Sequence, residues 1–232
     1  MSQRQTLVLC CGLLCDARVW AAQKAAFEAD FDVLPIDFLG LDSLVGMAEK
    51  VLASSPATFS IAGHSMGGRV ALEVFRRAPQ RVERLGLLDT GVHPGGEAEI
   101  AGRRKLIELG HQSGMKAVAD AWLPPMVGPN RAHDRAMTED LVDMICRATP
   151  EMFERQQHAL ITRPDAAPLL PTIRCPTLVA TGRFDAWSPV ADHEAIAKQI
   201  PGAQLAVFEQ AGHMSIVETP DDVNAAFHSW LG

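Results

Sequence analysis

The stretch that most constrains this chain runs from residue 59 to residue 75, Phe-Ser-Ile-Ala-Gly-His-Ser-Met-Gly-Gly-Arg-Val-Ala-Leu-Glu-Val-Phe. A short apolar run ends at Ala62, the pentad Gly63-His64-Ser65-Met66-Gly67 follows, and Val70, Ala71, Val74 and Phe75 then recur at helical spacing. The segment reads as strand, tight turn, helix. A serine on such a turn occupies a cramped backbone, and Gly63 and Gly67 stand where a Cβ would meet the neighbouring strand and helix. The turn lifts the Ser65 hydroxyl clear of a sheet, with the positive end of the following helix aimed at it. Ser65 is the candidate nucleophile. A glycine-rich turn kept for packing alone is the bland alternative, so the rest of the chain has to decide.

On either side of this turn, apolar runs alternate with helical stretches. Residues 6–11 (Thr-Leu-Val-Leu-Cys-Cys), 31–36, 58–62 and 85–88 read as strands, with helices predicted over 20–27, 43–52 and 69–77 between and after them. The strand runs resume at 177–180 and 205–208, separated by a predicted helix over 190–200. A last helix begins at Thr219-Pro220-Asp221-Asp222, read as a capping residue, a proline and first-turn acids. Between about 95 and 167 there is no convincing strand, only helical stretches broken by Gly110, Gly114, Pro124-Pro125, Pro129 and Pro150. The pattern predicts an α/β fold: a mostly parallel sheet of about six strands with helices on both faces. Residues 1–94 and 168–232 form its core, and 95–167 a helical insertion.

Composition narrows the partners. The chain has 232 residues, enough for one such domain, and its formal net charge of −7 argues against a nucleic-acid or anionic-membrane partner. The five cysteines (Cys10, Cys11, Cys15, Cys146, Cys175) are odd in number, two are adjacent in an apolar run, and their spacing matches no zinc motif, so reduced thiols are expected. No apolar run reaches transmembrane length and no leader is legible at the N-terminus, which places the protein in the cytoplasm. No metal or cofactor site is expected.

Two further loops fall at strand ends, where open parallel sheets carry their chemistry. One is Thr181-Gly182-Arg183-Phe184-Asp185, the other Glu209-Gln210-Ala211-Gly212-His213. A serine hydroxyl is a poor nucleophile at neutral pH and needs a base, a task suited to histidine, and a carboxylate on the other ring nitrogen fixes the tautomer and stabilises the imidazolium. His213 is the candidate base and Asp185 the candidate acid. His64 is locked beside Ser65 and reads as a supporting residue. His93, His111, His133, His158 and His193 have no paired acidic motif and read as solvated or packing histidines, and Cys11 and Cys15 as small buried hydrophobes.

Through Gly63-His64-Ser65-Met66-Gly67-Gly68, Gly182-Arg183-Phe184-Asp185 and Ala211-Gly212-His213, in that order and strand context, the chain resembles the α/β-hydrolase family over roughly 6–94 and 168–232. The resemblance implies that the chain starts at the strand preceding the oxyanion-hole loop, that the backbone N–H groups of Leu13 and Met66 are the oxyanion donors, and that 95–167 is a lid. Where the family usually shows His-Gly before the oxyanion-hole residue, Cys11-Gly12-Leu13 stands here. Asp89, at another strand end, is the rival acid, since some members use that position.

The implied activity is hydrolysis of a small ester, lactone or thioester, with a small-molecule substrate and no cofactor. The same resemblance covers carbon–carbon bond hydrolases, menaquinone-pathway lyases and cofactor-free haloperoxidases, and also non-catalytic ligand receptors. Trp122, Met126, Met144 and Phe153 are the expected lid side of the substrate pocket, although such residues can equally pack the lid's own helices. Arg103, Arg104, Arg147 and Arg155 are candidates for a substrate carboxylate, or solvated lid arginines.

Overall fold

A computed structural model describes residues 4–232. Part of the segment read as leaderless, Met1–Gln3, lies outside the described residues. Six strands, β1 (Thr6–Cys10), β2 (Asp32–Ile36), β3 (Phe59–His64), β4 (Val82–Leu88), β5 (Thr177–Gly182) and β6 (Gln204–Phe208), form one sheet in the order β2-β1-β3-β4-β5-β6. Every pairing is parallel. The runs β3 and β5 are buried at every residue, as their largely apolar sequences suggest for strands covered on both faces. Pro35 sits in β2, at the sheet edge, where a strand can do without one ladder N–H.

The helices between strands are α1 (Ala21–Phe27), α2 (Leu44–Ser54) and α3 (Met66–Arg77). Beyond β4 come α4 (Glu97–Trp122), α5 (Arg135–Cys146) and α6 (Pro150–Ile161), and then α7 (Val190–Gln199), α8 (Ser215–Glu218) and α9 (Pro220–Leu231). The chain first steps from β1 out to β2 and thereafter moves the other way, so right-handed crossovers put α1 on one face and α2, α3 and α7 on the opposite one. On the α1 side, α9 closes the core: Phe227 lies 5.9 Å from Phe27 and 6.2 Å from Trp20, ring centre to ring centre. The Ser43 hydroxyl caps α2 by accepting the Gly46 N–H at 3.1 Å.

The segment between β4 and β5 is helical, as its lack of strand patterning predicts. Gly114 adopts φ 79°, ψ 172° inside α4 and breaks it into two stretches, the two that the sequence separates. Asp134 and Thr149 cap α5 and α6 by accepting the N–H groups of Met137 and Met152. One capping expectation fails. Thr219 does not cap α9; its hydroxyl turns back to the carbonyl of Ser215, because Thr219 continues directly from α8.

Candidate active site

The ends of the four central strands and of β6 converge on one edge, and the chain beyond them supplies Leu13 (after β1), Ser65 (β3), Asp89 (β4), Asp185 (β5) and His213 (β6). Ser65 has φ 56°, ψ −116°, and Leu14 and Asp89 also have positive φ (59° and 47°). Among the described residues these are the three non-glycine positions in the left-handed region, each costing about 1–3 kcal/mol, and all lie at this edge. The turn closes only because two positions lack a side chain: a Cβ on Gly63 would sit 2.1 Å from the Gly67 carbonyl oxygen, and one on Gly67 2.1 Å from that of Cys10.

The Ser65 hydroxyl lies 2.8 Å from His213 Nε2, and His213 Nδ1 lies 2.8 Å from Asp185 Oδ2. With Nδ1 protonated and donating to Asp185, Nε2 is free to accept the Ser65 proton. The other carboxylate oxygen of Asp185 accepts the backbone N–H groups of Trp187 and Ser188 at 2.8 and 2.9 Å. Burial pushes the Asp185 carboxyl up, but His213 and these N–H donors outweigh it and hold it below the usual carboxylate range. Burial conversely pulls His213 down, and the Asp185 charge and hydrogen bond more than offset this, leaving it above its ordinary value.

Asp89 takes another part. It makes no hydrogen bond with the His213 ring; its carboxylate accepts the Gly182 N–H at 2.9 Å and the Ser215 hydroxyl. It is fully buried, and burial together with the nearby Asp185 raises it well above an ordinary carboxyl. His64 Nε2 donates to the His213 carbonyl at 2.7 Å, and burial pulls its pKa down to about 3, so it serves as a neutral peg under the His213 loop. Gly12 makes room for that ring: a Cβ there would lie 2.9 Å from His64 Nδ1.

Leu13, Ser65, Met66 and His213 line a cavity of about 590 Å³, whose walls include Trp122, Met126, Leu106 and Trp187. Neither the Leu13 nor the Met66 N–H donates to a protein acceptor among the described residues. The loop with Cys11 in place of the usual histidine is anchored from both sides, Cys11 N–H on the Ile36 carbonyl and Leu14 N–H on Gln156 Oε1, both at 2.9 Å. Burial pushes the Cys11 thiol up, as it does Cys10 and Cys15, so all three stay protonated fillers.

Of the four expected pocket residues, Trp122 and Met126 line the cavity and Met144 and Phe153 do not. Met144 faces the loop after β1, its sulfur 3.5 Å from the Asp16 nitrogen, and Phe153 is buried inside the helical segment near Gly110. Of the expected arginines only Arg103 lines the cavity; Arg104 and Arg155 lie on a separate surface groove, and Arg147 pairs with Asp143. His111 has a partner after all, Glu154 at 2.8 Å on the surface. His193 is a buried packing histidine whose Nε2 accepts the Thr90 N–H.

Three residues escaped the sequence reading. Arg69 lines the cavity one helical turn beyond Ser65, a spacing visible in the sequence. Arg163 and Glu218 are buried, and nothing in the sequence separates them from surface residues of their types.

The fold and this edge define an α/β-hydrolase. The model of the alpha/beta hydrolase family matches residues 7–226, and the chain belongs to that family and is a hydrolase. Among curated proteins it is similar to "Putative carbamate hydrolase RutD" from Stutzerimonas stutzeri, 28% identical, with 94% of this chain and 88% of the relative covered. Among solved structures it is similar to a thermophilic esterase from Thermogutta terrifontis, described as malate bound, with TM-score 0.88 and 28% identity over 98% of this chain and 89% of the other. It is also similar to the enol-lactonase from Burkholderia xenovorans, with TM-score 0.90 and 25% identity over 99% and 92%.

Proposed function

We propose that this protein is a serine hydrolase that opens a small carboxylic ester, lactone or thioester through an acyl-enzyme. The observation that carries the reading is the unbroken relay of 2.8 Å contacts from Ser65 Oγ through the His213 ring to Asp185. Ser65 Oγ bonds to the carbonyl carbon as its proton passes to His213 Nε2, and the Leu13 and Met66 N–H groups hold the oxyanion. The carbon–heteroatom bond then breaks, and His213 returns the proton to the leaving group. Water, deprotonated by the same nitrogen, adds to the acyl carbon and releases Ser65 and the acid. The helical segment 95–167 acts as a lid, contributing Trp122 and Met126 to the cavity roof. The similarity to a protein named as a carbamate hydrolase favours carbamates as a second substrate class for the same attack. The buried, unpaired Cys10, Cys11 and Cys15 support a reducing compartment, the cytoplasm.

The test is hydrolysis of p-nitrophenyl esters from acetate to octanoate by wild type and Ser65→Ala. Turnover that falls by several orders of magnitude in the variant upholds the reading, and the chain-length optimum sizes the cavity. Failure of wild type to turn over any ester, with no labelling of Ser65 by a fluorophosphonate, defeats it.

A further inference from the structure

The cavity wall beyond the nucleophile is unusually rich in positive charge. Arg69 on α3 and Glu99 and Arg103 on α4 line it, with Arg163 behind them. Arg163 is spent on structure: its guanidinium grips both oxygens of Glu99 at 2.7 Å and also donates to the carbonyls of His93 and Leu160. Glu99 accepts in addition from Arg103 Nε at 2.8 Å. One carboxylate thus pairs with two of the three guanidinium groups, and the cluster keeps a net charge of +2.

No other carboxylate lining the cavity corrects this. The remaining one is Asp89, which burial drives toward its neutral form. Arg69 makes one hydrogen bond, to the His93 carbonyl at 3.0 Å, and meets no carboxylate within ion-pair distance among the described residues. Its Nη2 lies over Gly91, another residue of the wall, where a Cβ would approach to 2.8 Å. Burial and the neighbouring Arg163 push the Arg69 guanidinium down to about 9, the direction expected where negative charge is missing. Arg103 uses Nε on Glu99 and Nη1 on Gln157 at 2.7 Å, and has donors left over. Two guanidinium groups with spare donors on one cavity wall match the geometry of a carboxylate.

We infer that Arg69 and Arg103 form a carboxylate subsite, so that the substrate attacked by Ser65 carries a second, ionised carboxylate beside its ester, lactone or carbamate group. The inference rests on the serine-hydrolase reading and names its substrate class. Arg69 follows Ser65 by four residues, about 6 Å along the helix. The two functional groups of the substrate therefore stand a few carbons apart, as in a half-ester of glutarate. The apolar residues lining the same cavity, Leu106, Trp122 and Leu160 among them, suit a methylene spacer.

The experiment compares kcat/KM for monoethyl glutarate and ethyl butyrate, read as acid release, in wild type, Arg69→Gln and Arg103→Gln. Wild type should prefer the half-ester at least about tenfold, and the preference should fall about 10- to 100-fold in Arg69→Gln, as loss of a charged hydrogen bond predicts. Arg103→Gln also removes a partner of Glu99, so Arg69→Gln carries the test if that variant folds poorly. A wild-type ratio at or below one, or a ratio untouched by both substitutions, overturns the subsite and leaves the hydrolase intact. If neither ester turns over, glutarate and butyrate are compared by calorimetry on wild type and Arg69→Gln. Glutarate binding that is selective and lost in the variant supports the subsite, and equal or absent binding overturns it. The hydrolase reading fails separately, on the absence of Ser65 labelling by a fluorophosphonate.

Discussion

The carboxylate of Glu218 accepts the backbone N–H of Gly128 at 2.7 Å and, with its two oxygens, also those of Gly212 and Met214 at 3.0 Å. One buried side chain thus ties the helical segment to the loop that carries His213, whose own N–H donates to the Met126 carbonyl at 2.8 Å. The approach is tight: a Cβ on Gly128 would lie 2.8 Å from the Gly212 nitrogen.

Glu218→Ala strips three buried N–H groups of their acceptor. Each orphan donor costs about 1–3 kcal/mol, partly relieved where water enters, so the variant should lose about 2–4 kcal/mol of stability in urea melts. Its kcat should fall by about tenfold or more because the loop that carries His213 loses its tie through Gly212 and Met214. Glu218→Gln, which keeps one carbonyl acceptor, should lie between the two. Wild-type stability and turnover in Glu218→Ala would refute the tie.

The two carboxylates at the site should respond oppositely to amidation. Asp185→Asn removes the charge facing His213 and favours the wrong tautomer, and should lower kcat by about 10⁴-fold. Asp89→Asn should stay within about tenfold of wild type, because the amide oxygen can still accept the Gly182 N–H and the Ser215 hydroxyl can rotate to accept instead. The sign for stability also differs. Asp89 keeps its proton in the native state well above the pH at which the unfolded chain loses it, so native stability falls as pH rises through that interval. Asp89→Asn abolishes this loss and should match or exceed wild type in thermal melts at pH 8. A collapse of activity in Asp89→Asn with Asp185→Asn unaffected would exchange the two roles.

The pH profile follows from His213. The ring must be neutral to accept the Ser65 proton, and Asp185 holds its pKa above the ordinary 6.5. The acid limb of kcat/KM should therefore be centred above 6.5, with activity lost as pH falls through it. In Asp185→Asn the main opposition to burial is gone, and the residual activity should show that limb shifted to lower pH. An unshifted limb would mean that the titrating group is not His213.

The sheet and the relay were legible in the sequence because both are local patterns: apolar runs of strand length, and glycine-flanked loops just beyond them. The loop motif at 182–185 favoured Asp185 over Asp89 as the acid, but what Asp89 does was not legible: its acceptor role toward the Gly182 N–H and the Ser215 hydroxyl joins residues 93 and 126 positions apart. The cavity roof was half legible. Trp122 and Met126 line it, but Met144 and Phe153 obey the same apolar helical rhythm while facing the loop after β1 and the interior of the helical segment. The rotation of a helix about its axis against a distant element is a tertiary quantity that periodicity leaves open. Glu218 and Arg163 were hidden for the same reason: the partners that show their roles, Gly128 and Glu99, lie 90 and 64 residues away in the chain.

A last expectation concerns Gly182, the end of β5, where a Cβ would lie 2.1 Å from the Gly212 carbonyl oxygen and 2.5 Å from that of Ala211. Both atoms are backbone of the loop leading to His213, so the clash cannot be relieved by a rotamer. Gly182→Ala must instead push that loop away from the sheet, against the Phe184 N–H bond to the Ala211 carbonyl. Overpacking of this kind costs about 1–3 kcal/mol. A displacement of His213 by a fraction of an ångström to 1 Å should cost up to about 10²-fold in kcat. Gly102→Ala is the counterpart, within α4, with nothing within 4 Å of the added Cβ; it should raise stability by about 0.5–1 kcal/mol through helix propensity alone. Thermal melts of both variants, with kcat for Gly182→Ala, check the pair. Equal stabilities would mean that the strand-to-loop approach at Gly182 is looser than the structure has it.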